Sequence, residues 1–172
     1  LEAGSTAEFV ALKGAALVLA ERGKAAQKAL NDPRLDTYQD VAIWRGAADY
    51  LANDIESAAK NFDNGDPSLQ TYPNPLKAKL LVKRLTVALE TEQLELAKKW
   101  RDTVGEELDS FGPIYKARLS YLLGQLYLLE LDLDNAVGAY QVAVDGQDHW
   151  SAVRAEYDLI DLNLQQETIE LT

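Results

Sequence analysis

Two marks recur in step along this chain. Gly14, Gly46, Leu85 and Gly124 are separated by 32, 39 and 39 residues, with Leu85 standing where the others place glycine. Ala26, Ala58, Ala97 and Ala136, each twelve residues further on, keep the same three spacings. In the two fullest copies an aromatic follows the alanine by four residues, Phe62 in one and Tyr140 in the other. The last copy adds Tyr127 and Ala143, and Gly65 fills the final slot of the earlier one. A small residue, another twelve later and a ring four beyond that is what two antiparallel helices need to approach closely across a short turn. Phased marks of this kind are the signature of a repeat array. The alternative is an ordinary helical bundle with coincidental matches, but a bundle has no need of the phase.

Each unit reads as helix, turn, helix. The first runs from Ala7 to Glu21, turns at Arg22-Gly23 and continues from Lys24 to Asn31, ending at Asp32-Pro33. The second spans about Thr37 to Ala52, turns at Asn53-Asp54 and resumes to about Phe62. Asn53 with Glu56 resembles a capping box, and Asn64-Gly65-Asp66-Pro67 reads as a stop. The third begins at Asn74-Pro75, with proline in the first turn, and turns near Thr91 before a helix to about Leu108. The fourth starts at Pro113, turns at Asp132 and ends near Asp145-Gly146. A fifth, partial unit is anchored at Ala155, because Asp161-Leu162-Asn163-Leu164 echoes Glu130-Leu131-Asp132-Leu133. It would place a first helix over Tyr157 to Leu164 and the start of its partner from Gln165 to Thr172.

No segment alternates with period two for more than a few residues, so the expected fold is all-α, with about ten helices. The expected organisation is a single helical repeat domain over 6–172, in units of about 6–35, 36–73, 74–112, 113–147 and 148–172, preceded by linker residues 1–5. The chain opens Leu1-Glu2-Ala3-Gly4-Ser5 and contains no Met, so it is expected to be a piece of a longer protein. Ile160, Leu162, Leu164, Ile169 and Leu171 are expected to form an incompletely covered edge, which an array must cap or pack on a neighbour.

Composition removes several functions. Seventeen basic against 28 acidic side chains give a net charge of −11, which repels nucleic-acid backbones and anionic lipid surfaces. The most apolar stretch, Phe9 to Ala20, is interrupted by Lys13 and is too short to cross a bilayer. Without Cys there is neither a disulfide framework nor a thiolate metal site, and the compartment stays open between cytoplasm and bacterial periplasm.

The fourth unit, with Leu123-Gly124, Tyr127, Ala136, Tyr140 and Ala143, resembles the tetratricopeptide repeat family, although Ser120 replaces the usual early aromatic. The second resembles it at Gly46, Ala58 and Phe62, with Asp49 in place of the aromatic after the glycine. The first keeps Gly14 with Ala26, and the third keeps Ala97. The resemblance implies a right-handed solenoid whose first helices line a concave groove, and a groove of that kind typically holds a peptide or helix of a partner protein.

Catalytic readings find little support. The single histidine, His149, lies in Asp148-His149-Trp150-Ser151, which reads as a capped helix start rather than part of a nucleophile triad. Asp63-Asn64-Gly65-Asp66 lacks the ligand spacing and terminal Glu of a calcium loop. Glu106-Glu107 point to different sides of a helix and cannot share a proton. No catalytic residue, metal or cofactor is therefore expected.

Placing the family's first-helix geometry on this chain puts Leu12, Ala15, Trp44, Ala47, Tyr50, Lys79, Lys83, Thr86, Tyr121 and Gln125 at inward positions. Trp44 and Ala15 stand where members that clamp a carboxyl-terminal tail need polar residues, so the groove is read instead as an apolar and aromatic floor. Trp44, Tyr50, Tyr121 and Gln125 belong to that floor, and Lys79 and Lys83 flank it. Lys77, Lys79, Lys83 and Arg84 reverse the local charge and would steer an acidic or amphipathic segment. The alternative for the aromatics is core packing between units, and for the lysines a solvated face. The expected function is a non-catalytic scaffold or adaptor. The alternatives are self-assembly through open ends and a regulatory domain of a larger protein.

Overall fold

The computed structural model describes residues 6–170, with side chains described as far as Leu164. Every regular element among them is helical. The nine α-helices are α1 (Ala7–Leu19), α2 (Gly23–Leu30), α3 (Val41–Leu51), α4 (Ile55–Leu69), α5 (Asn74–Glu90), α6 (Leu94–Glu107), α7 (Pro113–Leu129), α8 (Leu133–Val144) and α9 (His149–Glu170), with short 3-10 turns at Pro33–Leu35 and Leu108–Ser110. The chain forms two compact units, Leu1–Glu92 and Gln93–Thr172. α5 is therefore described with the first unit and α6 with the second.

The phased marks meet where the spacing places them. Side chains added at Gly14 and Gly124 would overlap Leu30 and Tyr140, and a Cβ at Gly46 would lie 2.8 Å from the Phe62 ring. Each of those large partners is sixteen residues beyond its glycine and fully buried. Ala26, Ala58, Ala97 and Ala136 are fully buried as well. The glycine removes volume on the first helix so that the large side chain of the second can seat against its backbone.

A third mark keeps the same phase. The non-glycine residues with positive φ among those described are Glu21 (56°), Asn53 (67°), Glu92 (57°) and Leu131 (61°), each seven residues beyond its anchor. Left-handed backbone at that point ends the first helix and turns the chain back. After Glu21, Asn53 and Leu131 the amide of the next residue donates to a carbonyl five residues earlier. Arg22 donates to Leu17, Asp54 to Asp49 and Asp132 to Tyr127, each at 2.9 Å. The following helix is then capped by Asp54, which accepts from the Ser57 amide at 3.2 Å, or by Asp132, which accepts from the Asn135 amide at 3.3 Å.

In the first unit α1 packs on α2, α3 on α2 and α4, and α5 on α3 and α4. Asp49 occupies an aromatic's slot and is buried, and its carboxylate accepts from Gln27 (2.8 Å) and Asn61 (2.7 Å), tying α3 to both α2 and α4. Buried carboxylates persist when hydrogen-bonded in this way. In the second unit α8 and α9 pack on α7 and on each other, and α6 contacts α7. Arg101 of α6 donates to Glu130 at 2.8 Å and stands over the Tyr127 ring.

Several boundaries differ from the sequence reading, and the first helix of the second unit begins at Val41 rather than about Thr37. Asp54, not Asn53, caps α4, because Asn53 takes the left-handed position just before it. The expected stop at Asn64-Gly65-Asp66-Pro67 is helical, and α4 continues to Leu69. There Gly65 lies against the Ile43 backbone and Asp66 is buried, so tertiary contacts override two helix-breaking residues. The fifth unit is not a helix pair among the described residues. α9 runs unbroken from His149 to Glu170, passing through Leu162 where a left-handed turn would fall, and it includes Gln165, where a tenth helix was expected to begin. Residues 1–5 and 171–172 lie outside the described residues.

Candidate functional site

The inward positions of the first unit are closely engaged. Trp44 is 7% exposed. Its indole N–H donates to the Tyr72 hydroxyl at 2.9 Å, and the two rings meet edge to face at 5.9 Å. Tyr50 is half-buried with the Lys83 ammonium 5.4 Å over its ring, and burial pushes its hydroxyl upward, helped by Glu90 and opposed by Thr86. Lys79 donates to the Leu19 carbonyl at 3.1 Å, so it neutralises the carboxyl end of α1. Lys77 is buried and donates to Gln70 at 3.1 Å.

Arg84 is fully buried and points elsewhere. It bonds Asp66 at 3.0 Å and Asp63 at 2.7 Å, with its guanidinium 5.6 Å over the Phe62 ring. Four cations close in sequence are thus divided among an ion pair, a helix terminus, an aromatic face and an amide.

In the second unit Tyr121 is 4% exposed, lying between Tyr140 at 5.9 Å and Trp150 at 5.6 Å. Gln125 donates to its hydroxyl at 3.0 Å. Burial pushes the Tyr121 and Tyr140 hydroxyls and the Asp158 carboxyl all upward. Among the described residues no cluster of three or more His, Asp or Glu has the geometry to hold a metal ion, and no helix is long and apolar enough to cross a membrane.

Two rows of exposed apolar side chains lie on α1 and α9, and the first includes Leu12, one of the expected inward positions. On α1, Val10, Gly14 and Val18 face the unit, while Phe9, Leu12 and Leu19 remain exposed at spacings of three and seven, with exposed Ala16 between them. On α9, Ser151, Ala155 and Leu162 are buried, while Trp150, Val153, Tyr157, Ile160 and Leu164 form an outer stripe. All five are more than half exposed, Tyr157 reaching 74%. Of the expected uncovered edge, Ile160 and Leu164 are exposed and Leu162 is buried, while the side chains of Ile169 and Leu171 lie outside the described residues. Trp150, Val153 and Tyr157 escaped the sequence reading because the boundary assigned near Tyr157 divided the stripe. The alternating three- and four-residue spacing of its apolar positions is the signal that locates it.

Asp148 fixes the start of α9. It accepts from the Ser151 amide at 3.1 Å and hydroxyl at 2.7 Å, and it pairs with Arg118 at 2.8 Å. Burial opposes its charge, but the bonds from Arg118 and Ser151 prevail and hold its carboxyl below the usual range. Its stabilisation is therefore present above the ordinary carboxylate pKa and lost as pH falls through the lowered one. Asp148→Ala is expected to reduce stability by about 1–2 kcal/mol near neutral pH, as loss of a helix cap does. Urea unfolding at pH 7 and at pH 3 checks this, with the difference between variant and parent narrowing at the lower pH.

Comparison with protein-family models, curated proteins and solved structures found no match. The likeness to the tetratricopeptide family therefore rests on the residues and their phase.

Proposed function

We propose that the chain is a non-catalytic interaction module, a short tetratricopeptide-like solenoid of right-handed twist that holds amphipathic segments of other proteins and acts as a scaffold or adaptor. The observation that supports docking is the outer stripe of α9, five large apolar side chains in continuous helical register and more than half exposed. A contiguous apolar surface rimmed by polar residues is characteristic of a protein interface. The exposed row on α1 is a second surface of the same kind. By contrast, Trp44 and Tyr121 are occupied within their own units, which leaves the aromatic-floor reading with Tyr50, Gln125 and the flanking Lys79 and Lys83.

Capture of partners from a lysate by immobilised protein separates the two docking modes. Val153→Asp with Ile160→Asp is expected to reduce capture at least tenfold, since hydrophobic anchors dominate such contacts. Lys79→Glu with Lys83→Glu is expected to leave capture within about twofold, as for charges outside the contact. Loss of capture in the lysine variant alone, with its fold retained, would transfer docking to the groove and overturn this reading.

A further inference from the structure

We propose that Asp158, set between the hydroxyls of Tyr121 and Tyr140, is a proton-operated catch for α9: the helix holds to α7 and α8 more firmly when this carboxyl is neutral than when it is ionised. Asp158 lies on the inner face of α9, so the catch operates whatever docks on the outer stripe.

Spacing defines that inner face. Ser151, Ala155 and Leu162 are buried, and Asp158 completes the row at intervals of four, three and four residues. A row of that kind is the side of a helix that packs on its neighbours, here α7 and α8. Such a position ordinarily holds an apolar side chain, and this chain places a half-buried carboxyl there. Ser151, the other polar member of the row, donates its hydroxyl to Asp148 at 2.7 Å.

The groups around Asp158 come from all three helices. α7 presents the Tyr121 hydroxyl, which accepts from Gln125 at 3.0 Å. α8 presents the Tyr140 hydroxyl, which is buried without a close hydrogen-bond partner. The two rings lie 5.9 Å apart. On α9 itself the charged neighbours are Arg154, one turn earlier, and Asp161. Arg154 is exposed, with its guanidinium 4.6 Å over the Trp150 ring, so its charge is shared with solvent and with the indole. Burial raises the Asp158 carboxyl above its ordinary range. The Tyr140 and Tyr121 hydroxyls and Arg154 offset only part of this, and Asp161 adds to it.

Docking of α9 is thereby linked to proton uptake. A carboxyl raised in the docked helix binds more protons there than in the undocked one, over the interval between the two midpoints. Its opposition to docking is absent below the ordinary carboxylate range and complete above the raised midpoint, so α9 loosens as pH rises through that interval. Asp148, at the start of the same helix, acts in the opposite direction, because its carboxyl is lowered and its contribution is lost as pH falls. α9 thus carries a cap that weakens in acid and an inner carboxyl that weakens the helix contact as acid is removed.

Two measurements test this. Carboxyl NMR titration of the whole chain follows Asp158 directly, and its midpoint is expected above that of aspartate in an unstructured peptide. Tyr140→Phe, which removes a donor to the charged form, is expected to move that midpoint further up. Amide hydrogen exchange over 149–164 is compared between the parent and Asp158→Asn at matched pH, so that Asp148 and the intrinsic pH dependence of exchange cancel. At pH 7 the parent is expected to exchange faster, by about tenfold for each pH unit between the two carboxyl midpoints, and the difference is expected to close by about pH 3. A midpoint at or below that of free aspartate would overturn the proposal, because the ionised carboxyl would then be the one that holds the helix. So would a parent that exchanges no faster than Asp158→Asn at pH 7, a difference that persists unchanged into acid, or a midpoint that Tyr140→Phe leaves in place or lowers.

Discussion

Arg84→Ala is expected to lower the free energy of unfolding by about 3–5 kcal/mol, the cost of leaving one member of a buried ion pair without the other. Arg84 is fully buried against Asp66 and Phe62. Its removal takes the guanidinium from the buried Asp66 carboxylate between α4 and α5 and empties space beside the ring. Replacing the pair by apolar side chains of similar volume, Arg84→Met with Asp66→Leu, is expected to recover most of the loss, because isosteric apolar packing is often as stable as a buried pair. Urea unfolding of the parent, the single variant and the double variant checks both statements. A single variant within about 1 kcal/mol of the parent would show that the pair has little structural weight.

Gly124→Leu is expected to cost about 3 kcal/mol, the upper part of the range for overpacking. Even a Cβ at this position would overlap the Tyr140 ring, which is buried and packed against Tyr121. Ala136→Leu, on the helix facing α7, is expected to fall within about 1–3 kcal/mol for the same reason. Chemical denaturation that finds both within about 0.5 kcal/mol of the parent would deny these residues a role as packing contacts.

The helix pairs were legible in the sequence because close approach leaves a mark in residue size. Gly14, Gly46 and Gly124 could be aligned from composition at fixed spacing, and Leu30, Phe62 and Tyr140 lie against them. The left-handed turn residues were not legible. Of Glu21, Asn53, Glu92 and Leu131, only asparagine belongs to a type that favours that backbone. Asp66 was read as part of a stop and Arg84 as part of an exposed basic run, although the two neutralise each other within the first unit. A contact between residues eighteen apart leaves no local pattern to read.

The end of the chain shows the opposite difficulty. Asp161-Leu162-Asn163-Leu164 resembles the turn at Glu130-Leu131-Asp132-Leu133, but the resemblance ends at the backbone. Leu131 is left-handed and Asp132 caps the next helix, whereas Leu162 is buried within α9. Similar composition served a turn in one place and an unbroken helix in the other, and the seven-residue spacing of Trp150, Tyr157 and Leu164 distinguishes them.

Hydrogen exchange with a captured partner bound tests the docking account most directly. Exposed helical amides exchange by local opening, which a docked segment suppresses. The account predicts slowed exchange over 7–19 or 149–164, with 41–51 and 74–90 unchanged. Slowing confined to 41–51 and 74–90, around Tyr50, Lys79 and Lys83, with α1 and α9 unaffected, would contradict it.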